Sequence, residues 1–443
     1  MAKAPAGAPA RSLPAALPDE WRRAFEWIER ELGGRVVAAE RQPRWRPAWF
    51  LDLERDSERL PLYFRGERGE ADHGVYALEH EMRVLQVLGA HGIPVPRVFG
   101  FCPAPRGIVM ERCPGRANLA TAESQAEREA VLDEYVSVLA RIHRIDVAAF
   151  EAVGLRRPAT PEALALLDFD TWERAYRRRK RRPEPAVEFA IRWVRREAPR
   201  DRRRASLVCC DSGQFLFERG RLTAVIDLEL ACLGDPLADL GGMRGRDLSE
   251  PLGDLSRAVR RYEESTGEPV DRRALDFHTV RFGIVTPMAV AHLAADPPRG
   301  IDAAQYLAWY LVWTRSALEV IGARLGLELE PPPARPRTQA PAATDFDAYR
   351  SGAATRLAVY RERLARLGPD LEAEDLADAA ALLGRRPPDA AAAAAALEEL
   401  VASAGPERDA ELLGCLHRRI LRQESILAPV MRELEGARIQ RIH

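Results

Sequence analysis

The stretch 206–240 constrains the fold of this chain most, because two short apolar runs in it are bordered by aspartates. Residues 215–217 and 222–226 are predicted to be strands joined by a glycine-containing hairpin turn. Asp211 comes before the first strand and Asp227 follows the second. Since a hairpin brings these two ends together, we expect both carboxylates to converge on one site. Such a pair suits a group that activates a hydroxyl beside a Mg²⁺ ligand.

A helix is predicted directly after the hairpin. Asp235 lies at the expected N-cap, Pro236 at the first helical position, and apolar residues follow at 237–240. The stretch therefore predicts two strands, two carboxylates and a capped helix in close succession.

The same stretch resembles the aminoglycoside phosphotransferase/choline kinase-like family, whose members are distant relatives of the protein kinases. Val-Ile-Asp-Leu-Glu at 225–229 is similar to that family's Ile-Asp-Trp-Glu, and Gly-Asp-Pro-Leu-Ala-Asp-Leu at 234–240 is similar to its next motif. The resemblance implies an α+β fold of the bilobal protein-kinase-like kind. It has a small β-rich N-lobe and a helical C-lobe, and this chain adds a C-terminal helical region.

The catalytic loop departs from the family pattern of His-Gly-Asp, four residues and Asn. Cys209 and Cys210 stand in place of His-Gly, and Gln214 replaces the asparagine. Only two residues separate Asp211 from Gln214, so the loop is two residues short. Neither cysteine has a paired histidine in the sequence, and we expect both to be packing residues.

The composition excludes several classes of protein. A formal charge of −1 over 443 residues gives no global field that favours nucleic acid or an acidic membrane. Six cysteines without a Cys-x-x-Cys pair predict neither a disulfide framework nor a structural zinc site. No apolar run is long enough to span a membrane. We therefore expect a cytoplasmic protein without a membrane or nucleic-acid partner.

Five segments are predicted from the order of patterns along the chain. The N-lobe is predicted as helix, three strands, helix and two strands. The segments are a disordered tail at 1–18, a nucleotide-binding N-lobe at 19–112, a C-lobe with the catalytic and metal loops at 113–330, a Pro/Ala linker at 331–344 and the C-terminal helical region at 345–443.

The resemblance extends to residues of the N-lobe. Arg65 stands near the place of the family's phosphate-binding lysine, and Glu81 lies in the helix that carries the acidic partner. Met110 and Arg112 belong to a run, 109–115, that is similar to the hinge where adenine binds. A solvated strand end is the alternative interpretation of Arg65.

A glycine-rich phosphate loop is missing between the first two strands. Residues 41–47 contain no glycine that would let backbone amides approach phosphates. Arg44 and Arg46 either bind phosphates with their guanidinium groups or belong to a surface turn.

Other conspicuous residues carry two interpretations each. The basic runs at 177–182 and 202–204 are either a solvated face or a surface for a phosphate-bearing substrate such as a coenzyme A ester. Arg244 and Arg246 are candidates for the substrate cleft, and His143 is expected to be a packed structural residue.

The C-terminal part of the chain is expected to be structural. An aromatic run at 306–313 has helical spacing and is predicted to be core. The last helices are predicted to pack on the main body or on a second subunit, which would give a homodimer. No chemistry is predicted for 345–443.

The resemblance implies an ATP-dependent phosphotransferase that acts on a hydroxyl of a small molecule, for which an acyl-CoA-type compound is one candidate. Asp211 would orient the hydroxyl and accept its proton, and Asp227 would bind Mg²⁺. Gln214 would bind a second ion, while Arg65, supported by Glu81, would bind phosphate. The alternative is a catalytically weakened pseudo-kinase that binds nucleotide or regulates another protein.

Overall fold

The computed structural model describes residues 13, 17–44, 46–68, 74–333 and 346–443. These residues form a β-rich lobe followed by helices, which confirms the predicted α+β class with a bilobal, protein-kinase-like plan. The predicted tail at 1–18 lies mostly outside the described residues, as does most of the predicted linker at 331–344.

The N-lobe is a five-stranded antiparallel sheet with one helix before it and one inserted in it. Its strands are ordered β1-β2-β3-β5-β4. The elements are α1 (Asp19–Leu32), β1 (Arg35–Arg41), β2 (Ala48–Arg55), β3 (Glu58–Gly66), α2 (Leu78–Ala90), β4 (Val98–Pro103) and β5 (Arg106–Glu111). The predicted order of helix, three strands, helix and two strands is confirmed.

Alternation along β3 decides which N-lobe side chains face the second lobe. Leu62 and Phe64 are fully buried on the side of α1, where the aromatic residues Trp21 and Trp49 also pack. Because successive side chains of a strand point to opposite faces, Arg65 points to the other side, towards α2. The alternation of side chains along β3 therefore places Arg65 on the face of the sheet that points to the second lobe.

The C-lobe is mostly helical. In its first part, one long helix, α3, follows a short 3-10 turn at Leu119–Thr121. The region 162–198 is divided into three helices. The elements are α3 (Gln125–Ile142), α4 (Ala148–Glu151), α5 (Pro161–Leu166), α6 (Phe169–Arg179), α7 (Pro185–Glu197), β6 (Ser206–Val208), β7 (Phe215–Glu218), β8 (Arg221–Val225), β9 (Cys232–Gly234), α8 (Leu237–Arg246), α9 (Leu255–Thr266), α10 (Arg272–Ala295) and α11 (Ala303–Arg324).

Two nested antiparallel pairs organise the centre of the C-lobe. The predicted hairpin is confirmed as β7 and β8, with a turn at Arg219 and Gly220, which have φ of 51° and 73°. Outside it, the three-residue strands β6 and β9 pair with each other, which the sequence did not predict. Asp211 lies in the connection from β6 to β7, and Asp227 in the connection from β8 to β9. Each of the two connections runs between the β6–β9 pair and the β7–β8 pair. The two aspartates therefore lie close together.

The predicted N-cap role of Asp235 needs correction. The helix α8 begins at Leu237 and Pro236 is its N-cap, although Asp235 Oδ1 still accepts a hydrogen bond from the Leu237 amide at 3.1 Å. The Asp235 carboxylate is 1% exposed and accepts hydrogen bonds from Arg202 Nε at 2.6 Å and His278 Nε2 at 2.9 Å. Its main contacts thus tie α8 to α10 and to the segment before β6.

The C-terminal helices pack on the C-lobe of the same chain. They are α12 (Phe346–Leu383), α13 (Ala390–Ser403) and α14 (Asp409–Leu427), followed by 3-10 turns at Ala428–Val430 and Arg432–Leu434. Arg315 of α11 is fully buried and donates to Glu424 of α14 at 2.8 Å. This agrees with the first of the two predicted packing alternatives, and the homodimer stays a prediction.

The tail after α14 returns to the C-terminal end of α8. Gln440 Nε2 donates to Asp247 Oδ2 at 2.9 Å, and Arg244 Nη2 donates to the Gln440 carbonyl at 2.8 Å. The C-terminal region therefore supports the end of α8. No helix in the described ranges combines the length and apolar character that a membrane span requires.

Candidate active site

A cavity of about 720 Å³ lies between the lobes and brings together four of the predicted site residues. Asp211, Gln214, Asp227 and Arg65 line it. Both predicted aspartates therefore face one space, as the hairpin argument requires. Glu81, Met110 and Arg112 are not among the residues that line it.

The loop that carries Asp211 is short but firmly held. The amides of Cys209 and Cys210 donate to the Asp239 carboxylate at 3.0 and 2.9 Å. Further along, the Tyr135 hydroxyl is 2.7 Å from Ser212 Oγ and accepts a hydrogen bond from the next amide at 2.7 Å. The two cysteines are 2% and 4% exposed, as expected of packing residues.

Gly213 allows this loop its path. Its φ is 99°, in the region that favours glycine, and a Cβ there would lie 2.9 Å from Leu252 Cδ1. The tight turn after Asp211 therefore requires a residue without a side chain.

Asp211 has the environment of a proton acceptor. Its Oδ2 accepts a hydrogen bond from Gln214 Nε2 at 2.7 Å and lies 3.4 Å from Arg246 Nη1. Burial raises the pKa of Asp211 to about 6, although Arg246 acts in the opposite direction. At neutral pH the carboxylate is therefore mostly ionised, with a pKa close enough to the working pH to accept a proton.

Gln214 was predicted to be a metal ligand, and its amide nitrogen is bonded to Asp211. Its carbonyl oxygen is the atom that would bind a cation. The metal role of Gln214 stays a prediction.

Asp227 is held ionised by an arginine. It has a φ of 61° at the end of β8, and its Oδ1 accepts a hydrogen bond from Arg65 Nη2. Burial acts to raise the pKa of Asp227, but the Arg65 guanidinium, with Arg46 further off, holds that pKa below its usual range. The carboxylate is therefore negative at neutral pH.

Arg65 is buried rather than a solvated strand end. It is 6% exposed, and its Nε donates to Glu81 Oε2 at 2.7 Å. Glu81 is 1% exposed and its other oxygen accepts from the Leu228 amide at 3.2 Å. Burial raises the pKa of Glu81 despite the nearby Arg65. Glu81 thus joins α2, β3 and the loop of Asp227, and fixes the direction of Arg65.

A second cluster of opposite charges was only partly predicted. Glu229 accepts hydrogen bonds from Arg46 and Arg68, both of which come from the N-lobe and line the cavity. Arg46 is 2% exposed, so the surface-turn interpretation is wrong for it. Arg44 also lines the cavity and donates to the Tyr63 hydroxyl at 2.9 Å. The contact of Arg68 was missed, and the sequence signal for it is a basic residue three positions after Arg65.

The predicted hinge residues lie away from the cavity. Met110 is 4% exposed and pairs with Tyr63 in the sheet. Arg112 donates to Asp52 Oδ1 at 2.6 Å, and its guanidinium lies 5.6 Å from the ring centre of Phe50. Contact of either residue with adenine stays a prediction.

Of the two arginines predicted near the cleft, one lines it. Arg246 borders the cavity and bridges Asp211 and Glu250. Arg244 instead binds Asp276 at 2.8 Å and the C-terminal tail, so its predicted place in the cleft is wrong. His143 is 2% exposed and bonded to Tyr262 and Asp239, as expected of a structural histidine.

The aromatic run of α11 is only partly core. Tyr306 and Tyr310 are buried, but Trp309 and Trp313 line the cavity. The C-terminal region also reaches the cavity with Arg432 and Glu433, where the sequence predicted no role. Helical spacing identifies the buried face of a helix but does not tell core from pocket wall.

Comparisons with known proteins identify a matching sequence family and a similar fold. Residues 67–278, nearly half of the chain, match the sequence model of the phosphotransferase enzyme family. A candidate aminoglycoside phosphotransferase of known structure from Ralstonia eutropha JMP134 is similar in fold, with a TM-score of 0.51 and 20% identity, over 67% of this chain and 95% of that chain. The predicted resemblance and the kinase-like fold are therefore confirmed.

Two curated relatives are similar over part of their length. Acyl-CoA dehydrogenase family member 10 of Mus musculus is 32% identical over 208 residues, which are 44% of this chain and 19% of the relative. Acyl-CoA dehydrogenase family member 11 of Rattus norvegicus is 26% identical over 221 residues, 47% of this chain and 28% of the relative. The matched segments thus span less than a third of these relatives.

Proposed function

We propose that the protein transfers the γ-phosphoryl group of ATP to a hydroxyl of a small molecule, because residues 67–278 match the sequence model of the phosphotransferase enzyme family. The observation that carries this proposal is the shared cavity of Asp211 and Asp227, with the Arg65–Glu81 pair beside it. Phosphoryl transfer requires little covalent participation of the protein. Positioning of the reactants and neutralisation of the phosphate charge therefore provide most of the catalysis.

Asp211 orients the acceptor hydroxyl and takes its proton. Its pKa of about 6 leaves it mostly ionised at pH 7. Gln214 donates to one of its oxygens and Arg246 lies near the same oxygen, so the carboxylate is held in a fixed direction. General-base catalysis of this kind contributes roughly 10²–10⁴-fold to a rate.

Asp227 is the proposed ligand of Mg²⁺, with the carbonyl oxygen of Gln214 as a further donor. Carboxylate and amide oxygens are hard donors that fit this ion, and both residues line the same cavity. Bound Mg²⁺ would neutralise charge on the phosphates. Arg65 is the proposed phosphate contact in place of lysine, since its guanidinium presents a planar fork to an anion.

Arg46 and Arg68 are proposed to replace the missing glycine-rich loop. Both reach the cavity from the N-lobe, and both contact Glu229. Their guanidinium groups would exchange a carboxylate for phosphate oxygens, which are similar acceptors. Under this proposal, the two guanidinium groups bind the phosphates in place of the backbone amides of a glycine loop.

The acceptor is proposed to be an acyl-CoA-type alcohol. The protein itself is proposed to be cytoplasmic. Support comes from the relatives, which are acyl-CoA dehydrogenase family members, although the matched segments are 19% and 28% of their length. In the basic run at 177–182, Arg177 and Lys180 pair with Glu188, so part of that run is already neutralised. The apolar side of the cavity is the stronger support for an acyl group.

A homodimer through the C-terminal helices remains a proposal. Leu364 on α12 is 42% exposed, although the neighbouring helices pack on the C-lobe. Sedimentation of the protein and of Leu364→Asp tests it, because a dimer through this face would dissociate in the variant.

Release of ADP tests the proposed function. The purified protein is incubated with ATP, Mg²⁺ and a panel of hydroxylated acyl-CoA esters, amino alcohols and sugars, and ADP is measured with and without each alcohol. Acceptor-dependent ADP release that Asp211→Asn removes would support the kinase.

The pseudo-kinase alternative predicts a different result. It expects Mg-ATP to bind without acceptor-dependent ADP release from any alcohol. The comparisons with known proteins give this alternative no support.

A further inference from the structure

A buried cluster beside the catalytic loop contains two thiols and a carboxylate that the proposed phosphoryl transfer does not use. The sulfur atoms of Cys210 and Cys232 and one carboxylate oxygen of Asp168 lie within 4.8 Å of one another. The two sulfur atoms are 3.5 Å apart. Cys210 directly precedes Asp211, Cys232 begins β9, and Asp168 directly precedes α6. The cluster therefore connects α6 to both connections that carry the proposed catalytic and metal residues.

Cys210 occupies a backbone position that favours glycine. Its φ is 66°, in the left-handed region, where a residue with a side chain is strained. The family pattern has glycine at this place, whereas this chain has a cysteine whose thiol contacts that of Cys232. The path of the backbone alone therefore does not account for a thiol here.

The Asp168 carboxylate is fixed in direction but keeps a free oxygen. Its Oδ2 accepts hydrogen bonds from Trp172 Nε1 at 2.8 Å and from the Tyr76 hydroxyl at 3.0 Å. Its Oδ1 has no hydrogen-bond partner among the residues that the structure describes, although the side chain is only 7% exposed. Hydrogen bonds to one oxygen commonly orient a carboxylate that binds a metal ion. A bound cation would also relieve the cost of the buried oxygen.

Arg281 balances the charge of this cluster. It is 1% exposed, and its Nη1 lies 3.7 Å from Asp168 Oδ1. The charges of Arg281 and Asp168 cancel, so the cluster is neutral while both thiols are protonated. A divalent ion that displaces the two thiol protons adds no net charge. The cluster can therefore bind such an ion without burying an uncompensated charge, which would be costly.

A disulfide is the other chemistry open to two neighbouring thiols. The hydrogen bond between the thiols and burial raise the pKa of Cys232 well above its usual value, although the charge of Arg281 acts in the opposite direction. Because the thiolate is the form that reacts with oxidants, a buried thiol with a raised pKa is a poor redox centre. A metal ion displaces the thiol protons itself and needs no oxidant.

We propose that Cys210, Cys232 and Asp168 form a binding site for Zn²⁺. Thiolates favour zinc, whereas Mg²⁺ prefers oxygen ligands, so the site is distinct from the proposed Mg²⁺ site at Asp227. Three protein ligands leave the fourth tetrahedral position to a water molecule. The sequence predicted no zinc site because the two cysteines are 22 residues apart rather than in a Cys-x-x-Cys pair. The bound ion ties α6 to the residue before Asp211 and to β9.

Metal analysis of the purified full chain tests the site. The protein, expressed with zinc in the medium and purified under reducing conditions, is expected to contain about one zinc ion per chain. Cys232→Ser should lose this zinc. Cys209→Ala is the matched control and should keep it, because Cys209 is 2% exposed and adjacent to Cys210 but is not part of the cluster.

Cobalt gives a readout that does not depend on the folding of a variant. Co²⁺ added to the metal-stripped, unmodified protein is expected to give thiolate-to-cobalt charge-transfer absorption and the visible bands of a tetrahedral ion. Trp172→Phe removes the donor to Asp168 Oδ2 and should weaken zinc binding roughly 10- to 100-fold, while the charge-transfer absorption persists. Unchanged zinc affinity in this variant would remove Asp168 from the site.

Other results would overturn the proposal as a whole. Absence of zinc, together with no charge-transfer absorption when Co²⁺ is added to the reduced protein, would exclude the site. Zinc retained by Cys232→Ser would place the metal elsewhere in the chain. A disulfide between Cys210 and Cys232 in a protein that binds no Co²⁺ once reduced would make the pair a redox centre instead. None of these measurements uses ADP release, so the proposed phosphotransferase function stands or falls separately.

Discussion

Removal of the Arg65 guanidinium should destabilise the protein in a pH-dependent way. Arg65 is 6% exposed and lies between Glu81, whose side chain is 2% exposed, and Asp227, whose side chain is 21% exposed. Arg65→Met keeps most of the apolar stem but removes the nearest cation from the buried Glu81 and from the partly exposed Asp227. Removing one partner of a buried ion pair costs about 3–5 kcal/mol, and we expect a loss of unfolding free energy in this range at pH 8.

The loss should become smaller as the pH falls. Without Arg65, burial raises the pKa of both carboxyl groups above their ordinary values of about 4. A group with a raised pKa adds stability below its unfolded pKa and loses it as the pH rises through its folded value. In the unmodified protein Arg65 holds the pKa of Asp227 low, and that stabilisation is lost as the pH falls. The first effect narrows the gap in unfolding free energy between pH 8 and pH 5, whereas the second begins only below about pH 5.

Urea unfolding at pH 8 and pH 5 measures this gap. Arg44→Met is the control, because Arg44 lines the same cavity but makes its described hydrogen bond to the Tyr63 hydroxyl rather than to a carboxylate. It should cost less than about 1 kcal/mol at either pH. An Arg65→Met gap that is the same at both values, or no larger than that of the control, would refute the burial argument.

Nucleotide binding gives a second readout of Arg65. A charge-assisted hydrogen bond contributes about 1.5–3 kcal/mol, so loss of a phosphate contact should weaken ATP by roughly 10- to 100-fold. Adenosine, which lacks phosphates, should bind as before. Equal weakening of both ligands would mean that the variant disturbs the whole cleft and that Arg65 does not bind phosphate.

Asp227→Asn should abolish Mg-ATP binding in calorimetry while the melting temperature shows a folded protein; unchanged affinity would remove Asp227 from the metal site. Asp211→Asn should lower kcat by roughly 10²–10⁴-fold with little change in the affinity for ATP, and a comparable loss of affinity would contradict its role as base. The kcat of the unmodified protein should fall below pH about 6, because Asp211 takes up a proton there. Asp235→Ala should cost about 3–5 kcal/mol at pH 7, because it leaves Arg202 and His278 without their shared carboxylate. That cost should fade in urea unfolding as the pH falls towards 2, since the pKa of Asp235 is lowered to about 2 and its stabilisation is lost through that value.

The N-lobe could be predicted from the sequence because its patterns are local. The alternation along β2 and β3 and the spacing in α1 each repeat over seven or more residues, which is enough to fix both type and face. The same alternation directed Arg65 to the side of Glu81. The pair was therefore predictable once α2 was known to cover that face.

The Glu229 cluster could not be predicted in the same way. Arg46 and Arg68 are 183 and 161 residues away from Glu229 in sequence, and no local sequence pattern predicts a contact over such a separation. The strands β6 and β9 are three residues long, too short for alternation to be visible. Contacts that depend on how the lobes meet follow from the packing of the whole chain rather than from any single segment.

The shortened catalytic loop shows which part of the site depends on loop length. Two missing residues reduce the reach of an extended chain by about 7 Å, which would displace Asp211 if the loop alone determined its position. Two other contacts hold Asp211 in place. Strand β6, which precedes it, pairs with β9, and the amides of Cys209 and Cys210 donate hydrogen bonds to the Asp239 carboxylate. The shortening falls after Asp211, where Gly213 makes the tight turn and Gln214, one methylene longer than asparagine, still reaches the carboxylate at 2.7 Å. The loop can therefore lose two residues without moving the aspartate out of the cavity that it shares with Asp227.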